Sequence, residues 1–392
     1  MTWNWQSPDW PNFKWDRSRI SAAEEQFLLG VGVAIGTVKH LGDEDHEQLL
    51  VELMSGEAVT TSAIEGEILN RASVQSSILR QLGLAPPGKR RVMPAEQGIA
   101  EMMVDLYRSF SQPLSDELLF GWQRMVTFGR KHLADIGRYR TGQEPMQVVS
   151  GRIGAATVHF EAPSSKRVPV EMKRFIAWFN RTAPQGKELL PAITRAGTAH
   201  LYFESIHPFE DGNGRIGRAI AEKAMTQRFG QPVLVSLATT ILAHQKSYYL
   251  ALERANRQND ITEWLVWFAE IALESQRQSI AQVEFIIAKA KLLDKLRDQI
   301  NERQQKALLR MFREGSEGFK GGLSAGNYST ITGASPATTT RDLADLVEKG
   351  ALIRAGERRH ARYGLNLKSM PNGGNAHSIT KDTPAKPLPG NR

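Results

Sequence analysis

Along most of this chain apolar residues return every three or four positions, the spacing of helices that bury one face, and only two short stretches alternate as strands do. Ser21 followed by Glu24 has capping-box spacing, and the apolar run behind it predicts a helix to about His40, ended at Gly42. A second helix is expected from about Asp45 to Gly56 or a little beyond, and a further short one from Ala58 to Leu69. Two prolines and a glycine make 85–89 a loop, after which Ser115 caps a helix carrying Leu118, Leu119, Trp122 and Met125. Between Arg138 and Pro163 the texture changes. Val148/Val149 and Thr157/Val158, separated by Ser150, Gly151 and Gly154, predict a β-hairpin.

Helices resume over 169–180, 191–205 and 212–229. Asp260 and Glu263 have capping-box spacing at the head of a helix with Trp264, Trp267 and Phe268. Apolar residues from Ile280 to Ile300 then keep the helical period, as a helix linking two domains would. From Gln304 the order is helix, short helix near 327–332, a turn at Gly333, then a helix from the Ser335 cap and Pro336 to about Lys349. Alternation over 351–354 and 360–365 adds a small hairpin, and three helices followed by a hairpin are the order of a winged helix-turn-helix domain. The fold is therefore expected to be mainly α. Its segments are an N-terminal helical part over 1–90, a core over 91–275, a linker helix over 276–303, a winged helix over 304–368 and a disordered tail over 369–392. The rings of Trp3, Trp5, Trp10 and Trp15 require a larger body to dock on.

Composition narrows the chemistry. Among 392 residues there is no cysteine, which leaves only oxygen or imidazole ligands for a metal and removes thiol nucleophiles. The start MTWNWQSPDW lacks the flank and apolar run of a secretory leader, and the longest apolar stretch, near 28–38, is shorter than the ~20 residues a membrane helix needs. A cytoplasmic protein without membrane contact is expected. The net charge of +8 permits nucleic acid or an acidic protein as partner without choosing between them.

One window, HPFEDGNGRIGR at 207–218, concentrates reactive groups. Gly212 and Gly214 stand where a loop enters a helix, so backbone N–H groups can approach a phosphate, and Asn213 adds a side-chain donor. Arg215 and Arg218 share a helix face and can meet the anionic end of a nucleotide, while Asp211 offers a hard oxygen suited to Mg²⁺. His207, held by Pro208, can take a proton from a hydroxyl. Each of these alone has an ordinary structural explanation, such as a hydrogen-bonded histidine or a surface ion pair. Their density in one window favours attack at phosphorus.

This string resembles the signature of the Fic family, HPFx(D/E)GNGRxxR, and matches all nine fixed positions: His207, Pro208, Phe209, Asp211, Gly212, Asn213, Gly214, Arg215 and Arg218. The resemblance implies a helical Fic core at 91–275 that transfers AMP from ATP to a Ser, Thr or Tyr hydroxyl of a target protein or of the chain itself. By it, His207 is the base, Asp211 holds Mg²⁺, Gly212 to Gly214 cradle the phosphates, Asn213 and Arg215 contact the α- and β-phosphates, and Arg218 holds the γ-phosphate. Phe209 becomes a core anchor, the hairpin becomes the flap that aligns the target, and Tyr248 or Tyr249 stacks on adenine unless both are ordinary core aromatics.

A second family pattern, (S/T)xxxE(G/N), is met by Thr61, Glu65 and Gly66. It resembles the inhibitory helix of Fic proteins that carry their brake at the N-terminal side, and implies that Glu65 pairs with Arg218 and so misaligns ATP. Relatives of this class are often dimers. Two alternatives remain: the same fold could transfer another nucleotide or remove AMP, or the chain could be a DNA-binding regulator whose Fic part senses nucleotide. For the latter, the third helix offers Thr338 to Arg341 and the wing Arg354, Arg358, Arg359 and Arg362, which would equally suit an acidic protein or another subunit.

Overall fold

The computed structural model describes residues 2–39, 42–86, 92–150, 157–231, 235–315, 319, 321–357 and 360–367. The lead segment is fixed by its rings. Trp3 meets Phe160 edge-on at 5.3 Å, Trp10 Nε1 donates to Glu171 at 2.9 Å, and Trp5 Nε1 donates to the Glu161 carbonyl at 2.7 Å.

Helix α1 (Ser18–Val38) is followed by α2 (Asp43–Ile64), α3 (Arg71–Leu82), α4 (Pro94–Ser109) and α5 (Asp116–Val126). The antiparallel hairpin β1 (Gln147–Ser150) and β2 (Thr157–Glu161) comes next, with register pairs Val148↔Phe160 and Val149↔Val158 on either side of a bulge. Then come α6 (Val168–Arg181), α7 (Ala192–Ile206), α8 (Asn213–Phe229), α9 (Leu237–Ala243), α10 (Gln245–Ala255) and α11 (Thr262–Lys295). Every residue of α7 is buried, so this helix is the axis about which the first unit, residues 1–287, is packed. Gly197 lets α11 approach it: a Cβ there would lie 2.8 Å from Leu265, and Trp264 Nε1 donates to the Gly197 carbonyl at 2.8 Å.

The second unit, residues 288–392, holds α12 (Glu302–Phe312), α13 (Ala325–Thr332), α14 (Pro336–Glu348) and the hairpin β3 (Leu352–Ala355) with β4 (Arg362–Leu365). Ser335 caps α14 by accepting from Thr338 N–H at 3.3 Å, with Pro336 at its first position. Arg358, Arg359, Gly151, Gly154 and the tail lie outside the described residues.

Several expectations are corrected. The two stretches expected over 45–56 and 58–69 merge into one helix that ends at Ile64, short of Leu69, because the apolar face of Leu50, Val51, Met54 and Ala58 is continuous core and outweighs the roughly 1 kcal/mol that Gly56 costs in a helix interior. Glu24 closes no local box with Ser21. Its carboxylate instead accepts from Ile193 N–H at 3.1 Å and Thr194 N–H at 2.6 Å, satisfying the first amides of α7. Glu263 likewise pairs with Arg19, and Asp260 accepts from Thr262 N–H at 3.0 Å. The long helix runs unbroken from Thr262 to Lys295, so the core's last helix and the expected linker are one element.

Candidate active site

His207 ends α7 in the left-handed conformation, with φ 50° and ψ 60°. A residue with a Cβ pays roughly 1–2 kcal/mol there, so its surroundings must hold it. They do. His207 N–H donates to the Phe203 carbonyl at 2.9 Å, Arg140 Nε donates to the His207 carbonyl at 2.8 Å, and Arg140 N–H donates to the Pro208 carbonyl at 3.0 Å. The imidazole, 17% exposed, lines a cavity of about 530 Å³ together with Glu65, Gly214 and Tyr249.

The loop that follows is built to be rigid. Phe209 is fully buried against Phe120, Tyr139 and Phe203. Asn213 accepts from Phe209 N–H at 2.9 Å and donates to the Phe209 carbonyl at 2.8 Å. Its amide thus braces the loop through its oxygen and one of its two N–H groups. Gly212 has φ 95°, and a Cβ on it would lie 2.7 Å from Val126. The first amides of α8 have no partner within their helix, and they open beside Gly214.

Arg218 is 2% exposed in its side chain, and Nη2 donates to Glu65 Oε1 at 2.8 Å. Thr61 holds the same guanidinium twice, its hydroxyl accepting from Nε at 2.7 Å and its carbonyl from Nη2 at 2.9 Å. Burial opposes the charge on Arg218, but Glu65, with Tyr248 and Glu204, outweighs it and raises the pKa. Gly66, at φ 80°, stops α2 so that Glu65 can face inward. The carboxylate lies over Gly214, where a Cβ would come within 2.1 Å of Glu65 Oε1, and the Nη1 of Arg218 is buried without a partner among the described residues.

The other predicted groups form a closed ring of ion pairs. Asp211 pairs with Arg130 and, at 3.0 Å, with Arg215. Arg215 pairs with Glu67 at 2.9 Å, and Glu67 with Arg130 at 3.3 Å. Burial lowers the Arg215 pKa against the pull of Asp211. Arg130 and Glu67 were not anticipated. Glu67 follows Glu65 by two residues and was visible in TSAIEGE, whereas nothing in the sequence near Arg130 marks it.

Among the described residues no group of three or more His, Cys, Asp or Glu is arranged for a metal. A cation here would rest on Asp211 and on phosphate oxygens, a mode that suits Mg²⁺ and requires Arg130 to yield its place. Of the two tyrosines, Tyr248 is 2% exposed with its hydroxyl 2.8 Å from His200 Nε2, a core residue. Tyr249 is 43% exposed and donates to the Ile64 carbonyl at 3.1 Å, so its ring is the one open to a base.

Residues 113–225 match the Fic/DOC family, and residues 3–84 match a domain of unknown function, DUF4172. The chain carries a Fic/DOC family domain. Its fold is also that of a Fic family protein from Desulfovibrio desulfuricans G20, with TM-score 0.52 and 20% identity over 92% of this chain and 99% of that one. A Fic domain containing signaling protein from Bacteroides thetaiotaomicron aligns with TM-score 0.51 and 18% identity over 67% of this chain and 97% of its own. Among curated proteins, the protein adenylyltransferase fic-1 of Caenorhabditis elegans is 27% identical over 201 residues, 50% of this chain and 35% of that protein. The protein adenylyltransferase Fic of Nematostella vectensis is 24% identical over 201 residues, 42% of its length. The chain thus spans less than half the length of these relatives. Among the described residues no helix is long and apolar enough to cross a membrane.

Proposed function

We propose that this chain is a protein adenylyltransferase that moves AMP from ATP to a Ser, Thr or Tyr hydroxyl of a target protein or of itself, and that Glu65 restrains it. The observation that carries this reading is that His207, Gly214 at the start of α8 and Glu65 line one cavity, and that Glu65 pairs there with Arg218 buried behind it. The triphosphate would lie on the amides that open α8, with Arg215 and Arg218 turned to its charges and the adenine against Tyr249. The target hydroxyl attacks the α-phosphorus, its proton passes to His207, and the bond to the β-phosphate breaks so that pyrophosphate leaves. A Mg²⁺ held by Asp211 would add positive charge beside the phosphates. The exposed Val148, Val149 and Val158 of the hairpin suit main-chain pairing with an extended target segment.

While Glu65 holds Arg218, the γ-phosphate has no partner there and the α-phosphate is left out of line for attack. Incubating the Glu65→Gly variant with labelled ATP and cell extract, and weighing the modified protein intact, tests the reading. An added mass of AMP is expected. Addition of a different nucleotide, or loss of AMP from a modified target, would select the alternatives of the same fold. Cytoplasmic location and a homodimer belong to the same reading.

For the second unit, we take α14 and the β3–β4 hairpin as a winged helix with DNA as partner, on the ground that Arg341, Arg354 and Arg362 are exposed around them. Binding to mixed-sequence duplex that weakens steeply with salt is expected, and salt-independent or absent binding ends this part of the proposal.

A further inference from the structure

Glu204 stands one turn before His207 on α7, buried with the rest of that helix. Its Oε2 lies 3.5 Å from His207 Nδ1. Its other oxygen, and the Nδ1 of His200, are buried without a hydrogen-bond partner among the described residues. Gly217 on α8 makes room for them, since a Cβ there would lie 2.5 Å from Glu204 Oε1 and 3.1 Å from His200 Nδ1. Burial raises the pKa of such a carboxylate. Here the neighbouring His207 imidazole, then the charges of His200 and Arg218, outweigh burial and hold Glu204 below the usual range. An anion is therefore kept beside the imidazole, on the wall of the same cavity.

We propose that Glu204 is a positioning residue for His207: it accepts the Nδ1–H, leaves the Nε2 lone pair facing the cavity, and balances the imidazolium formed when the hydroxyl proton arrives. The proposal rests on the transfer reading above. The hydroxyl oxygen forms its bond to the α-phosphorus, the bond to the β-phosphate oxygen breaks, and the proton goes to Nε2. Glu204 itself is not protonated. The other charged or titratable groups around this pair are His200 and Arg218, Arg140 on the His207 carbonyl, and Glu65, His159, Lys246, Tyr248, Tyr249 and Glu253 on the walls of the cavity.

The test compares Glu204→Gln and Glu204→Asp, each combined with Glu65→Gly, by steady-state transfer from ATP across pH. Glu204→Gln is expected to lower kcat by about 10- to 1,000-fold, the range of a proton-transfer assistant, while KM for ATP changes by less than about twofold. The acid limb of kcat/KM should move to lower pH, because the imidazolium has lost its counter-charge, and Glu204→Asp should recover part of both. An unchanged kcat and profile, or an equal loss in both variants with an unshifted acid limb, overturns the proposal. A readout free of turnover separates it from the transfer reading. ¹⁵N shifts of the His207 ring in the full chain should show the proton on Nδ1, and Glu204→Leu should move it to Nε2. A ring that keeps its tautomer in Glu204→Leu overturns the role of Glu204 even if AMP is transferred. A ring that changes tautomer while Glu65→Gly transfers no AMP overturns only the transfer reading.

Discussion

Glu65 and Arg218 meet at 2.8 Å at the edge of the cavity, with the carboxylate seated in the space that Gly214 leaves by having no side chain. Thr61, one turn earlier on α2, binds the same guanidinium through both its hydroxyl and its carbonyl. One arginine is thus held by three contacts from a single helix end.

Removing the carboxylate should free Arg218 for phosphate. Glu65→Gly is expected to raise incorporation of labelled AMP by at least about tenfold, the scale of one charge-assisted hydrogen bond of roughly 1.5–3 kcal/mol. Equal labelling of both chains would remove the brake.

His207→Ala, made alongside Glu65→Gly, should reduce transfer by about 10²- to 10⁴-fold. Calorimetry should show ATP binding within a few-fold of the parent, because the proposed phosphate contacts are on α8 and not on the imidazole. Transfer that survives the substitution would place the base elsewhere.

Gly212→Ala should destabilise the fold by about 1–3 kcal/mol, since the new Cβ meets both a φ of 95° and Val126 at 2.7 Å. Thermal unfolding measures this. A variant with parental stability would mean that the loop can relax, contrary to the bracing by Asn213 and Phe209.

A fourth expectation concerns pH. Glu57 of α2 is buried beside Glu222 of α8, with Oε1 accepting from Ala238 N–H at 2.6 Å and Oε2 without a partner among the described residues. Burial pushes its carboxyl up to about 7, against the Ala238 amide and Arg218, and burial together with Glu57 raises Glu222 as well. Because the folded pKa lies above the unfolded one, near 4.5, this group's contribution is fully present below about pH 4.5 and lost as pH rises to about 7. Glu57→Gln should therefore remove a fall in stability on the order of 3 kcal/mol between pH 5 and 8. Unfolding midpoints with the same pH slope in both chains would contradict it.

Where a helix carries its own stop and start signals, the sequence can be read directly. Ser115 caps α5, accepting from Leu118 N–H at 3.3 Å, and Ser335 caps α14 in the same way. The signals of α3 were present too, Asn70 accepting from Ser73 N–H at 3.0 Å and Gly83 closing at φ 80°, but its sparse apolar positions concealed it. Glu24 and Glu263 misled because a carboxylate three residues after a cap can satisfy a distant partner equally well. At the site, the residues of the HPFEDGNGRIGR string and Glu65 were legible as chemistry. Arg130 was not, since its salt-bridge ring is created by packing across elements far apart in the chain, and Glu204, though only three residues before His207, lies outside the string and carried no signal of its own.

The turn at Gly66 has one more consequence. Glu65 on one side of it grips Arg218, and Glu67 on the other grips Arg215 and Arg130. Both prongs of this latch flank a single left-handed turn at φ 80°. Under the proposed brake, a swing about this turn would loosen both carboxylates while leaving Arg215 on Asp211 and Arg218 on Thr61, so the arginines would stay oriented for the phosphates as the latch lifts.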